Sequence, residues 1–277
     1  MNTAVQEVVD TEPLKLNMEQ LVDKSDFHRK IFYYLLRIFM LRHWYIRREL
    51  SHWGRRRDNK QMHILDAGSG YGQNTYFLSN ACPKWSILAV DVKSNQISGC
   101  NHFFQHAGKQ NVTFKWRDLT ELHMENTFDL ILSVETLTYI EQDEKVMHNF
   151  FDALKPDGML LLWFPVCNQS EKIDDAYMHP DAPHRVRNGY NVNKLKSTLQ
   201  QIGFTKMQSY EVYGTNGLLS RKLYALVPTK MLHFSKATAL LLPFYYLFTL
   251  PICLVLNMID YNAQVKKGAY AVLKAWK

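Results

Sequence analysis

One short stretch, "LDAGSGYGQ", places Asp66 ahead of glycines at every second position: Gly68, Gly70 and Gly72. Glycines let a backbone turn sharply and let a ligand come close to it. A helix starting just after them would offer free N–H groups. The dinucleotide pattern G-x-G-x-x-G would need glycine at 73, where Gln73 stands. The phosphate loop ending in G-K-[ST] is also absent. The next apolar run, "SILAVD", ends in Asp91, nineteen residues after Gly72. An acid at the end of a second strand can accept both hydroxyls of a ribose. In "WRDL", Asp118 and Leu119 close a third run. A carboxylate or backbone N–H there can meet the amino group and ring nitrogen of an adenine. The spacing therefore points to a nucleoside-bearing ligand.

Positioning those residues requires short strands alternating with helices. "HILD", "SILAVD", "NVTFKW", "FDLILSV" and "GMLLLWFP" read as strands. Helices are expected near 73–80, 95–108 and 143–154. Alternation of this kind predicts parallel βαβ units and a doubly wound sheet. The runs are apolar on both faces, as strands covered on both sides should be. The ligand then sits at the carboxyl ends of the strands, where their order reverses. "NVNKLKSTLQQIGF" predicts a further helix, capped by Asn191, burying Leu195, Leu199 and Ile202, and stopped at Gly203. A hydrophobic content of 47% supports a packed core, and 21% charged residues argue against disorder. The four cysteines form no metal-ligand spacing, so no metal is expected.

The ordered set "ILDAGSGYG", "ILAVDV", "WRDLTEL", "FDLILSVETLTYI" and "LKPDGMLLL" resembles the class I S-adenosylmethionine-dependent methyltransferases of the bacterial small-molecule and lipid type. The resemblance covers roughly residues 62–210. It implies S-adenosyl-L-methionine as cofactor. Gly68, Gly70 and Gly72 would bound the loop under its methionine part, and Asp66 would steady that loop and the amino group. Asp91, with Val92 beside it, would hold the ribose, and Asp118 with Leu119 the adenine. Ser133 and Glu135, at the end of the fourth strand, complete the expected cofactor contacts. Many relatives carry E-x-L-x-H here; this chain reads "ETLTY", with Tyr139 in the histidine position. The segment "HRVRNGY" resembles the one in which a His and a Tyr face the acceptor. Those residues are His184 and Tyr190 here, with Arg187 nearby, and His184 is the candidate base. Tyr139 and Tyr190 are the other catalytic candidates.

The cofactor carries its methyl on a sulfonium, so alignment of the acceptor can supply much of the rate. A base is needed only if the acceptor keeps its proton. The [DN]PP[YF] element of DNA amine methylation is missing, and "FPVCN" spaces Pro165 and Cys167 wrongly for cytosine C5 chemistry. Nucleic acid is therefore a minor alternative, despite a net charge of +7.

That charge is uneven: −3 over residues 1–25, +7 over 26–60, −4 over 61–220 and +7 over 221–277. Basic flanks suit an anionic membrane surface. The first flank is aromatic and arginine-rich, with Phe27, Ile31, Tyr34, Leu35, Phe39 and Leu41 on a loose stripe. The second holds "ATALLLPFYYLFTLPICLVLNMI", Ala237 to Ile259, without a charged residue. As a helix it would reach about 35 Å, enough to cross a bilayer. The fold expects a sixth strand near 204–213 and an antiparallel seventh, for which 268–275 is the better candidate. The apolar stretch is then an insertion whose ends return to one sheet, with breaks allowed at Pro243 and Pro251. It would act as a lid, touch lipid or form a dimer.

The expectation is thus an α/β enzyme with a doubly wound, seven-stranded, mostly parallel sheet. Residues 1–60 form a helical extension, 61–213 with 268–277 the catalytic domain, and 214–267 the insertion. The N-terminus lacks the pattern of a signal peptide, so the enzyme is expected in the cytoplasm, at the inner face of a membrane. Its acceptor would be small and hydrophobic, lipid-like or aromatic, and methylated on oxygen. A soluble natural-product enzyme dimerising through its insertion, and a non-catalytic scaffold, are the alternatives.

Overall fold

A computed structural model describes residue 22 and residues 25–55, 57, 59–167, 185–228, 231 and 236–277. The chain forms two compact units. One comprises residues 46–211 with 269–277, and the other 1–45 with 212–268.

The first unit is a seven-stranded sheet with helices. β1 (Met62–Ala67) leads into α3 (Gln73–Ala81), β2 (Trp85–Asp91) into α4 (Ser94–His106), and β3 (Val112–Trp116) follows. β4 (Phe128–Val134), α5 (Asp143–Ala153) and β5 (Leu154–Pro165) come next. The sheet is completed after α6 (Val192–Ile202) by β6 (Lys206–Val212) and β7 (Tyr270–Trp276). The strand order is β3-β2-β1-β4-β5-β7-β6. β1 to β5 are parallel where they pair, and β7 runs antiparallel to β5, with Leu162 opposite Leu273. The seventh strand therefore forms from "YAVLKAW" and not from "RKLYALV". The latter stays helical, as α7 (Thr215–Arg221) and a π-helical turn, Lys222–Leu226.

β5 begins four residues earlier than "GMLLLWFP" suggests, because Leu154 already pairs with Phe128. The register then shifts between Phe128 and Leu130. On one face of the sheet, Val146, Met147 and Phe150 of α5 and Leu195 and Leu199 of α6 pack with Leu160 and Leu162. Asn191 caps α6 as expected, accepting from the backbone N–H groups of Asn193 and Lys194. Gly203 ends it with a φ of 126°, open to glycine alone at little cost.

A buried ion pair anchors the N-terminal helix α2 (Leu41–Gly54) to the last strands. Glu49 Oε2 is 2.7 Å from Lys274 Nζ, and Tyr210 donates its hydroxyl to Glu49 Oε1 at 2.7 Å. Burial alone would push Glu49 up. The hydrogen bonds from Lys274 and Tyr210 overcome it and hold the carboxyl below its usual range.

The second unit is helical. α1 (Asp26–Phe39) ends at Met40, which is extended, so the basic flank is two helices and not one. The apolar stripe read from the sequence is split accordingly. Leu41 is buried, whereas Phe27, Ile31, Tyr34 and Leu35 are exposed. α8 (Leu242–Asn262) is continuous through Pro251, and Pro243 lies in its first turn, where its missing N–H costs nothing. α7 and α8 run antiparallel. Gly217 N–H donates to Asp260 Oδ2 at 2.8 Å and Ser220 Oγ to the Cys253 carbonyl at 3.3 Å. The hydroxyls of Tyr245 and Tyr246 reach the carbonyls of Leu223 and Tyr224. Gly217 is required there: a Cβ would lie 2.9 Å from the Asp260 carboxyl.

Replacing Lys274 by Met leaves the buried Glu49 with only the Arg48 guanidinium, 3.7 Å away, as a cation. We expect a loss of about 2 kcal/mol, reduced from the fully buried case because Lys274 is partly exposed. Urea denaturation at pH 7 checks this. Because Glu49 is depressed, its contribution is present above the ordinary carboxylate range and fades as the pH falls. The difference between wild type and K274M should therefore shrink toward pH 3.

Candidate active site

The site is built at the carboxyl ends of β1, β2 and β4, where the strand order reverses. Asp66 pairs in register with Ala89 on one side and Leu132 on the other; Ala67 lies opposite Ser133. The loop after β1 is pinned to β2. The Gly68 and Ser69 N–H groups both donate to the Val90 carbonyl, at 2.9 and 3.0 Å. Gly70 N–H donates to Asp91 Oδ2 at 2.8 Å, and Lys93 N–H to Asp91 Oδ1 at 3.0 Å. Asp91 thus shapes the loop, and each carboxylate oxygen keeps a further lone pair for a hydroxyl.

Gly68, Gly70 and Gly72 all have positive φ, at 79°, 53° and 77°. At Gly68 a Cβ would fall 2.1 Å from Thr136 Oγ1, which itself donates to the Ala67 carbonyl at 3.1 Å. At Gly70 the space is open, with only Gln96 Oε1 within reach at 3.9 Å, so a side chain would fill a cradle that the backbone leaves clear. Gly72 caps α3.

Asp66 is fully buried and receives the Thr75 hydroxyl at 2.6 Å. Burial pushes its carboxyl up to about 6, with the Asp91 charge adding and Thr75 opposing. Asp118 caps a short 3-10 turn, Leu119–Glu121, through the Thr120 N–H and hydroxyl. Leu119 is buried, whereas Val92 is exposed and accepts the Trp116 indole N–H on its carbonyl. Ser133 and Glu135 line a narrow cleft with Leu137, Thr138, Leu162, Trp163 and Phe164. Glu135 has a φ of 59°, unusual for a side chain, and its N–H donates to the Trp163 carbonyl.

Tyr139 stands half-exposed beside that cleft, with the Arg185 guanidinium 5.6 Å from its ring centre. Tyr190 is engaged elsewhere. Its hydroxyl reaches Asp143 Oδ2 at 2.7 Å and the Leu137 carbonyl at 3.1 Å, and burial raises its pKa strongly. Arg187 also binds Asp143, together with the carbonyls of Ile140 and Glu141. These contacts clasp the segment after β5 to the loop after β4. His184 lies outside the described residues. Thr75, Thr136 and Asp143 were missed in the sequence, since nothing in their spacing marks them. Arg185 was visible in "HRVRNGY" but was passed over for its neighbours.

Residues 64–158 match the family described as "Methyltransferase domain". This part of the chain carries a methyltransferase domain. The chain is 34% identical over 103 residues to a malonyl-[acyl-carrier protein] O-methyltransferase of Bacillus anthracis, covering 37% of each. It is 31% identical over 146 residues to phosphoethanolamine N-methyltransferase 1 of Triticum aestivum, covering 51% of this chain and 28% of that one. The matches thus span less than half the length of these relatives. Among solved structures, phosphoethanolamine N-methyltransferase 2 of Haemonchus contortus in complex with S-adenosyl-L-methionine superposes with a TM-score of 0.59 at 18% identity. That superposition covers 94% of this chain and 59% of the other. A putative sarcosine dimethylglycine methyltransferase from Galdieria sulphuraria gives 0.57 at 18%, covering 84% and 83%.

S-adenosyl-L-methionine is the cofactor of such a domain, and the residues present fit it. Gly70 leaves a clear cradle, Asp91 has acceptor capacity to spare, and two buried hydroxyls, Ser69 Oγ and Ser133 Oγ, find no partner among the described residues.

Because the Asp66 pKa is raised on folding, its contribution is complete below about pH 4 and lost as the pH rises through about 6. Asp66→Asn should therefore gain on wild type between pH 4 and 7, by on the order of 2 kcal/mol, in urea denaturation of the ligand-free protein. A pH-independent difference would show that Asp66 is ordinary in the folded state.

Proposed function

We propose that the chain transfers the methyl group of S-adenosyl-L-methionine to an oxygen of a small, hydrophobic, lipid-like acceptor, working on the cytoplasmic face of a membrane. The observation that carries the membrane part is the exposed face of α8. Phe244, Leu247, Phe248, Ile252, Val255 and Met258 all stand in solvent, while Cys253, Asn257 and Asp260 hold the helix to its own unit. The helix is long and apolar enough to cross a bilayer, with a mean hydropathy of 1.8, and only 11% of its most apolar window is buried. A contiguous apolar surface of this kind is rare on a protein that meets only water. Lys222, Lys266 and Lys267 in the same unit are exposed, which suits an anionic lipid surface. Both ends of the insertion enter the sheet, through β6 and β7, which favours a helix lying on the membrane over one that carries the chain across it.

Oxygen methylation is supported by the match to malonyl-[acyl-carrier protein] O-methyltransferase. In this reading Asp66, Ser133 and the Gly68–Gly72 loop hold the methionine part of the cofactor. Asp91 takes its ribose, Asp118 and Leu119 its adenine, Glu135 completes the cofactor contacts, and Tyr139 borders the acceptor.

The protein should float with vesicles containing phosphatidylglycerol at 0.1 M salt and be partly released at 1 M, where the Debye length falls to about 3 Å. Phe244→Ser with Phe248→Ser should weaken flotation by at least about tenfold, from the apolar area removed. Flotation at no ionic strength would sink the membrane reading. A concentration-dependent dimer abolished by the same pair would favour the soluble, dimerising enzyme instead.

A further inference from the structure

We propose that α1 is a second membrane anchor, and that the helical unit docks on an anionic bilayer through the apolar faces of α1 and α8 together. This rests on the membrane reading above and deepens it, from one helix to a two-helix surface with a stated lipid charge.

The unit is built with its polarity reversed. A surface helix of a protein that meets only water buries its apolar face and exposes its charged one. α1 does the opposite. Its buried side chains are Arg29 and Tyr33, one helical turn apart, at 2% and 5% exposure. Phe27, Ile31, Tyr34 and Leu35, spaced i, i+4, i+7 and i+8, form one stripe and stand exposed. α8 repeats the pattern. Its buried side chains are Cys253, Asn257 and Asp260, spaced i, i+4 and i+7. Phe244, Phe248, Ile252, Val255 and Ile259 are exposed. The inward polar groups are used to hold the unit together. Asn257 Nδ2 donates to the carbonyl of Phe39, the last residue of α1, at 2.9 Å, and the Tyr45 hydroxyl donates to the Asp260 carbonyl at 3.2 Å. Hydrogen bonds thus bind the inside of this unit, and its apolar side chains are left for the outside.

Charge decides what covers that outside. Among the described residues of the unit the acids are Asp26 and Asp260, and Asp260 is buried. Lys30, Arg37, Lys222, Lys266 and Lys267 are exposed. A second copy of the chain would bring the same cations against these, whereas anionic headgroups neutralise them. On α1 the two cations are placed for that task. Lys30 and Arg37 are seven residues apart, so they line one flank of the apolar stripe. Their long stems can lie along the acyl boundary while the charges reach the headgroups. With 14 residues α1 is about 21 Å long, too short to span the hydrocarbon core. It therefore lies in the interface plane, its stripe about 5–10 Å deep.

The test measures partitioning of the full chain, at 0.1 M salt, onto vesicles of phosphatidylglycerol mixed with phosphatidylcholine and onto phosphatidylcholine alone. Phe27→Ser with Leu35→Ser should lower the partition coefficient about tenfold on both, from the apolar area removed. Lys30→Gln with Arg37→Gln should lower it about tenfold on the anionic vesicles and leave phosphatidylcholine unchanged. Adding the α1 apolar pair to Phe244→Ser with Phe248→Ser should multiply the two losses, because both faces meet one bilayer. Calorimetry should find S-adenosylhomocysteine binding unchanged within about threefold in every variant, since all the replaced side chains are exposed. An α1 apolar pair that partitions like wild type overturns the proposal and leaves α8 as the anchor. A charge pair that loses equally on both compositions overturns the choice of an anionic lipid. A concentration-dependent dimer in sedimentation velocity, lost in the α1 apolar pair, makes this face an interface between copies and overturns the proposal as well. Wild type that partitions onto neither composition overturns the membrane reading itself, and this inference with it.

Discussion

Where the loop after β1 passes the loop after β4 there is no room for a side chain. Thr136 stands 2.1 Å from where a Cβ on residue 68 would be, and its hydroxyl is tied to the Ala67 carbonyl. Glycine at 68 is therefore fixed twice, by this contact and by its positive φ. The constraint places two neighbouring strand ends against each other at the point where the strand order reverses. Everything in the site depends on that approach. It brings Ala67 and Ser133 side by side and sets Gly70 over the Asp91 carboxylate.

Burial is used differently for each acid. Glu49 is buried, but Lys274 and Tyr210 keep it ionised, so it acts as a tie between α2 and the last two strands. Asp66 is buried with one hydroxyl and a like-charged neighbour, so its proton is held until about pH 6. Asp260 is buried within the helical unit, where Gly217 N–H and the Tyr45 hydroxyl meet it. Only Asp66 faces the cofactor loop, and a carboxyl poised near neutrality is receptive to a cationic ligand group.

Much of this was legible in the sequence because local chemistry and global topology agree there. The glycine loop, Asp91 and the run of parallel strands follow from spacing and from apolar runs that need cover on both faces. The choice of 268–275 as the seventh strand followed from its apolar run through Val272 and Leu273, and the strand forms at Tyr270–Trp276. What was illegible depended on tertiary partners. Nothing in the spacing of Thr75, Thr136 or Asp143 shows that they meet Asp66, Gly68 and Tyr190. The break at Met40 was hidden because both flanking segments are helical, and periodicity carried one stripe through it. Pro251 read as a site where the helix could break, yet the α7–α8 hydrogen bonds hold the helix continuous on either side of it.

The central claim is that the loop from Gly68 to Gly72, shaped by Asp91, holds S-adenosyl-L-methionine. Calorimetric titration of the cofactor into wild-type protein and into Asp91→Ala tests it most directly. The account predicts one site per chain, and an affinity reduced by at least about tenfold when the carboxylate is removed. No binding to the wild type, or equal binding to the two proteins, would contradict it.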